Sequence, residues 1–364
     1  MFCITEEIVE RAVLGGGLLG GGGGGSLAEG MALGRAALAR GSVALRGIEE
    51  LPPEAIVVTV SLVGAPAAPE RWVTPEHLVR AVEILRDRSR MAIDALITSE
   101  NGGFATVNGW YQSAVLGIPV LDAPCNGRAH PLGLMGSMGL HRRGEYRACA
   151  AAVGGYAQRG RLVEEFYSGS LEEVSAGVRQ AAVRAGGMVA VARNPVPASY
   201  VGQHAAVGAI CQAIRLGAIL HDAPGLSAKL QALSAEAGAR TVDVGEVTRV
   251  GRRTAGGFDV GSVLVTSNKS EYELSFWNEY MTIECAGERL ATFPDLIATL
   301  ACEEGCPLTT AAIAPGQRVA LITIPWDRLI LGSGMRDAGL YERVERAIGK
   351  ELRPTPHALC QGPQ

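Results

Sequence analysis

Between Ile56 and Leu121, three short apolar runs alternate with helical patterns. The runs are IVVTV (56–60), IDALIT (93–98) and IPVL (118–121); the helices open at Thr74-Pro75-Glu76 and around Trp110 to Leu116. This order leaves few folds open. Runs too short for helices, separated by helical segments, read as strands of a parallel sheet with helices on its faces. In such a sheet ligands bind beyond the carboxyl ends of the strands. Those ends read SLVGAP (61–66), SENGG (99–103) and DAPCNGRAH (122–130), all rich in the Gly, Pro and polar residues of binding loops. Helical signals follow at Leu171–Ala185 and from about Ser199 to Leu220, with a short strand MVAVA (188–192) between them. From Glu246 the pattern changes to period-two alternation with a Gly-Gly turn, through EYELSFWNEYMTIE to RVALITI (318–324). The expected fold is α/β: an N-terminal α/β domain with a largely parallel sheet over residues 1–170, then a C-terminal domain over 171–364. The latter divides into a helical part (171–240), a β-rich part (241–330) and a helical tail.

The stretch GGGLLGGGGGGSLAEG (15–30) sits inside the first domain. Ser26-Leu-Ala-Glu29 is a capping box, which starts a helix running to about Arg40. A domain linker is therefore excluded by position. A nucleotide cradle needs a Gly-Lys-Ser/Thr ending after a strand, and here a helix-like segment precedes the run, so no nucleotide cofactor is expected. What remains is unhindered backbone leading into a helix N-terminus, able to bind an anion or to let a ring approach closely.

Charge and composition exclude other classes. A net charge of −4 without a basic block, and few aromatic residues, argue against nucleic acid. MFCITEEIVERAV carries acids where a signal peptide needs a basic region, and no apolar run is long enough to span a bilayer. Eight scattered cysteines do not make a disulfide framework. These features point to a cytoplasmic protein without a membrane partner, and a homo-oligomer, as a dimer, is expected on general grounds.

The order of the glycine-rich loop, ELPPEAIVVTVSLVGAP, SENGG, LGIPVLDAPCNGRAHP, FWNEY and RLATFPDLIATL…PLTTAAIAPGQRVALITIP resembles the S-methyl-thiohydantoin desulfurase-like family, whose members accompany hydantoin-utilisation genes. The similarity runs from the first helix to Pro325. It implies an α/β N-terminal domain, a β-rich C-terminal domain and chemistry on five-membered cyclic ureides. One loop departs from the family's Asp-Gly-Met-Gly-Arg-Ala-Phe-Pro type: here it is Asp122-Ala-Pro-Cys-Asn-Gly-Arg-Ala-His-Pro131. That departure resembles the branch that desulfurises 3-(5-oxo-2-thioxoimidazolidin-4-yl)propionate in bacterial ergothioneine breakdown, giving hydantoin-5-propionate.

Hydrolytic desulfurisation adds water at the ring C2 and expels hydrosulfide, so the water needs activation and the sulfur needs charge stabilisation. A zinc ion serves both ends, with Cys125 and His130 as ligands on one loop and His204 as a third. A lone His on an apolar helix is more often a core residue than a ligand. The metal-free alternative makes Cys125, paired with His130, a covalent nucleophile. Glu100 is a candidate general base and Asn101 a donor to a ring carbonyl, against the plain reading of a Glu-Asn-Gly-Gly turn. Arg128 is the nearest cation for a substrate carboxylate, and Gly22, Gly23 and Gly24 form one wall of the pocket. Asp122 either orients a ligand or caps the strand end. A binding module that accompanies a separate hydantoinase is the competing class, and such a module has no need of a thiol and an imidazole beside its ligand.

Overall fold

The computed structural model describes residues 2–268 and 270–352, so the last residues of the expected C-terminal tail, with Cys360, lie outside it. Two eight-stranded sheets carry the chain. The first contains β1 (Phe2–Cys3), β2 (Ala44–Arg46), β3 (Ile56–Gly64), β4 (Ala95–Thr98), β5 (Val120–Leu121), β6 (Ala148–Gly154), β7 (Val163–Gly169) and β8 (Met188–Pro197). Its order is β1-β2-β5-β4-β3-β8-β6-β7. The second contains β9 (Arg240–Ala255), β10 (Phe258–Thr266), β11 (Glu271–Trp277), β12 (Glu279–Cys285), β13 (Glu288–Thr292), β14 (Leu296–Ala301), β15 (Pro307–Leu308) and β16 (Arg318–Ile324), and every pairing in it is antiparallel. The helices are α1 (Glu6–Leu19), α2 (Leu27–Arg40), α3 (Pro75–Ser89), α4 (Trp110–Leu116), α5 (Leu171–Arg184), α6 (Ala198–His204), α7 (Ala209–Asp222), α8 (Gly225–Ala237) and α9 (Ala338–Ile348).

The α/β class and the β-rich second half are as the sequence predicts, and the first sheet is mixed. Its parallel part is β2-β5-β4-β3, the segment read from the βα alternation. The strands beyond β3 pair antiparallel, because β8 enters from the second half of the chain and lies between β3 and β6. Alternation along β3 sends Val58 and Val60 to the face under α1–α4, and Val57 and Val63 to the face under α5. Burying each such side chain contributes ~1.5–3 kcal/mol of transfer free energy, which makes the register hard to shift.

The long helix expected from Ser199 to Leu220 is broken into α6 and α7. Gly208 between them takes φ +88°, and the Asp122 carboxylate accepts from the Ile210 and Cys211 N–H groups, capping the new helix. The glycine run is likewise divided. Gly15, Gly16 and Gly17 are helical residues of α1, and a methyl on Gly15 would overlap the Ala213 carbonyl of α7. Gly15, with Gly217 on α7, lets two helices touch, while Gly16 and Gly17 pack on Thr106 and Leu27. Ser26 accepts from the Glu29 N–H at 3.1 Å and starts α2 as expected. No single helix among the described residues is long and apolar enough to cross a membrane.

Candidate functional site

The carboxyl ends of β3 and β4 open into a narrow cleft that the second sheet lines from the other side. Glu100 follows β4, His130 ends the loop after β5, Arg179 lies on α5 and Arg193 on β8; Asn278 and Glu279 come from the turn between β11 and β12. Gly24 and Gly25 complete the wall.

The chemistry of this cleft is set by burial. The Glu100 carboxyl is pushed up to about 7 by desolvation, against the His130 N–H it accepts (3.2 Å) and the nearby Arg193, Arg128 and Arg179. Glu279, only 3% exposed, is held well above the carboxylate range by burial and then by the Glu100 charge, with Arg128 opposing. Its Oε2 has no hydrogen-bond partner among the described residues. The His130 ring is pushed down to about 3 by burial and by Arg193, so it is neutral. Its Nε2 lies 3.3 Å from Glu100 Oε2 without hydrogen-bond alignment; the Ser99 and Leu132 backbone favour its charged form weakly, and among the described residues neither ring nitrogen makes a well-aligned hydrogen bond. Buried polar atoms without partners are costly, and His130, Arg193 and Glu279 each bring at least one to this cleft.

Two left-handed asparagines flank these groups. The β3–β8 register slips between Val57 and Thr59, and Asn194 in the resulting bulge takes φ +54°. The neighbouring Arg193 faces Thr59 in register and points into the cleft. Asn278 takes φ +58° in the tight β11–β12 turn, which presents Glu279. Asparagine tolerates this left-handed region better than most residues, and such strain clusters at functional sites.

Several residues singled out from sequence take other positions. Cys125 is fully buried in the core beneath the cleft, its Sγ 3.2 Å from Thr59 Oγ1, and burial pushes its thiol up to about 11. A covalent scheme lacks its thiolate here. Cys125→Ala is therefore expected to leave turnover within about threefold of wild type; a drop of about 10³-fold or more, the scale of losing a nucleophile, would return the thiol to the chemistry. His204 ends α6 with its ring 4.2 Å from Tyr200, away from the cleft lining. No three His, Cys, Asp or Glu side chains among the described residues converge as metal ligands, so Cys125, His130 and His204 do not fit as a zinc set. The break before α7 is the reason: it turns His204 to the side of a short helix.

Asn101 is consumed by structure, donating to the Gly127 and Ala209 carbonyls (3.2 and 2.8 Å) and accepting from Thr106 Oγ1. Arg128 is fully buried behind the cleft. It donates to the Ala129, Pro294 and Asp295 carbonyls and stacks on Phe293, joining the two halves of the chain instead of meeting a ligand. The glycine loop also joins the halves: the Gly21 and Gly22 carbonyls accept from the Tyr280 and Thr310 N–H groups (both 2.8 Å). Of the three glycines proposed as pocket wall, Gly24 lines the cleft, Gly23 packs on Glu279 and Gly22 on Tyr280 and Thr310.

Sequence reasoning missed Arg179, Arg193 and the Asn278-Glu279 turn. FWNEY reads as one strand, and its Asn before Glu was the signal of a turn. His141 bridges Ser137 Oγ (2.9 Å) and Asp337 Oδ2 (2.6 Å). That chain is structural: Ser137 is fully buried and its hydroxyl donates to the Leu134 carbonyl.

Comparison with known proteins supplies the family. Residues 7–158 match the model of the S-Me-THD-like N-terminal domain, and residues 170–334 that of the S-Me-THD-like C-terminal domain. The chain belongs to the S-Me-THD-like family. The resemblance read from the sequence is thereby borne out. A crystal structure of a protein from Chromobacterium violaceum shares the fold, with TM-score 0.72 and 20% identity over 95% of this chain and 96% of that one. No curated protein matches the chain significantly. The two S-Me-THD-like segments contribute jointly to the cleft: the first supplies Glu100 and His130, the second Arg179, Arg193 and Glu279.

Proposed function

We propose that this cleft takes a five-membered cyclic thioureide and hydrolyses its C2–sulfur bond, giving the hydantoin and sulfide. The observation that carries the reading is Glu100: a half-buried carboxyl poised at about 7, at the carboxyl end of a parallel strand, beside a neutral imidazole. A general base works best with its proton affinity near the working pH. The family name supports the ring class.

In this scheme Glu100 accepts a proton from water as the water oxygen bonds to C2 and the C=S π electrons move to sulfur. Glu100 returns that proton to sulfur as the C–S bond breaks. The new hydroxyl on C2 then gives its proton through Glu100 to the departing hydrosulfide, leaving the carbonyl, so one water enters and one hydrogen sulfide leaves. His130, neutral and unpartnered, orients the attacking water. Asn278 and Glu279 hold the N–H and carbonyl edge of the ring, where a buried acceptor without a partner finds one.

The test is sulfide release from a panel of 2-thiohydantoins and their ring-opened thioureas, followed with product analysis. The reading predicts stoichiometric sulfide and hydantoin from the cyclic compounds. Binding of the rings without release of sulfide from any of them would overturn it in favour of a ureide-binding subunit.

A further inference from the structure

Beside the narrow cleft lies a second cavity that no step of the proposed hydrolysis uses. The two share Leu62, Phe104 and Met188 in their walls, so they are adjoining chambers. They differ in size and in character. The cleft offers about 80 Å³ and its neighbour about 360 Å³. Polar side chains converge on the first, whereas the second is lined mainly by apolar side chains of α2, α3 and the loop between β3 and α3.

The sequence makes this space in two ways. On α2, Glu29, Ala32, Leu33 and Ala36 recur at helical spacing and form one stripe along it. The two alanines are too short to fill the gap between that stripe and Leu78 of α3. Glycines then seat the partition between the chambers. The Gly24 carbonyl accepts from the Phe104 and Ala105 N–H groups (3.1 and 3.0 Å). A methyl on Gly25 would lie 2.5 Å from Phe104 Cβ, and one on Gly30 would lie 2.0 Å from the Gly103 carbonyl oxygen. Bare backbone at these positions lets the turn after β4 rest on the start of α2, which leaves Phe104 lining both spaces.

The only charged residues among those lining the cavity, Glu29 and Arg71, pair with each other at 2.8 Å and tie α2 to the loop before α3. The cavity therefore has no free charge for a charged group, and a broad apolar wall for an uncharged one. Ligand geometry supplies the direction. In the preceding reading C2 faces Glu100, and the N–H and carbonyl edge meets Asn278 and Glu279. The ring carbon left over is C5, between a ring nitrogen and the carbonyl. The ring alone fills so narrow a cleft, and a substituent on that carbon has to leave it.

We propose that the cavity between α2 and α3 is an apolar subsite for the C5 substituent, an uncharged side chain of leucine to phenylalanine size that runs past Phe104. The proposal rests on the preceding reading for the placement of the ring and not for its hydrolysis.

The experiment measures binding of hydantoin, 5-isobutylhydantoin, 5-benzylhydantoin and hydantoin-5-propionate by calorimetry. The proteins are wild type, Ala32→Leu and Ala36→Leu, in which the new side chain occupies the cavity. Ala32 is exposed on a helix and leucine is a good helix former, so that variant keeps the test alive should Ala36→Leu fail to fold. Wild type is expected to bind the isobutyl and benzyl compounds roughly 10- to 100-fold tighter than hydantoin, the scale of burying one large apolar side chain. Either variant should cut that ratio to about threefold or less while hydantoin itself binds as before. Equal binding of all rings by wild type, or an apolar preference that survives both variants, overturns the subsite. So does tighter binding of the propionate than of the isobutyl compound, and so does failure of every ring to bind. Sulfide release from the matching 2-thiohydantoins keeps the two readings apart. An apolar preference lost in the variants, without sulfide from any ring, sinks the hydrolysis and leaves the subsite standing. Sulfide released with the same kcat/KM whatever the substituent sinks the subsite and leaves the hydrolysis.

Discussion

Glu100→Gln is expected to lower sulfide release by about 10²–10⁴-fold, the range for removing a positioned general base, while ring binding persists. The wild-type pH profile carries the same signature. Glu100 must be ionised to take a proton from water, and its carboxyl sits near 7. The rate should therefore rise with pH, about tenfold per unit below 7, and level off above it. The variant's residual activity should lack that limb. Stability moves the other way. Because the folded-state pKa lies above the usual 4.5, the folded protein holds this proton more tightly than the unfolded chain. Stability from this group is thus complete below about 4.5 and falls as pH climbs through 7. Glutamine removes the buried charge, so the melting temperature of Glu100→Gln should exceed that of wild type at pH 8 and approach it at pH 5. A variant that loses activity together with stability at pH 8 would show Glu100 to be structural.

Much of this arrangement is legible in the sequence. The strands IVVTV, IDALIT and IPVL and the capping box at Ser26 are local signals, carried by periodicity and by side-chain-to-backbone hydrogen bonding. Glu100 and His130 were legible because strand-end loops of a parallel sheet collect at one edge. Arg179 and Arg193 were not, because nothing local places β8 between β3 and β6. That pairing spans more than a hundred residues and is settled by burial on two faces. Arg193 in VAVARNPVP reads as the polar end of an apolar strand, and only its pairing opposite Thr59 brings it to the cleft. Cys125 shows the converse. Its loop position favoured chemistry, yet its side chain falls on the core side, against Thr59.

The glycine run offers a second large effect, and its two central members should differ in kind. Gly23 has no left-handed φ, so its backbone accepts an alanine. The added methyl would overlap the Glu279 carboxylate and its Cγ, so that side chain must shift toward the cleft it lines. Gly23→Ala is expected to fold normally and to displace Glu279 by about 1 Å or more, a misplacement that costs on the order of 10²-fold in kcat/KM. Gly24 takes φ +71°, and its methyl would overlap the Gly102 backbone, which has nowhere to go. Gly24→Ala should be destabilised by about 2 kcal/mol or more, from left-handed strain and steric overlap together. A double variant separates positioning from damage. Glu279→Asp alone should impair ring binding by shortening the reach; combined with Gly23→Ala, it leaves room for the methyl. The pair should then lose less than the sum of the single effects, the coupling expected of groups in contact. Strict additivity, or a Gly23→Ala protein with wild-type kinetics, would mean that the glycine run serves helix packing and domain stitching alone, and that Glu279 does not touch the ligand.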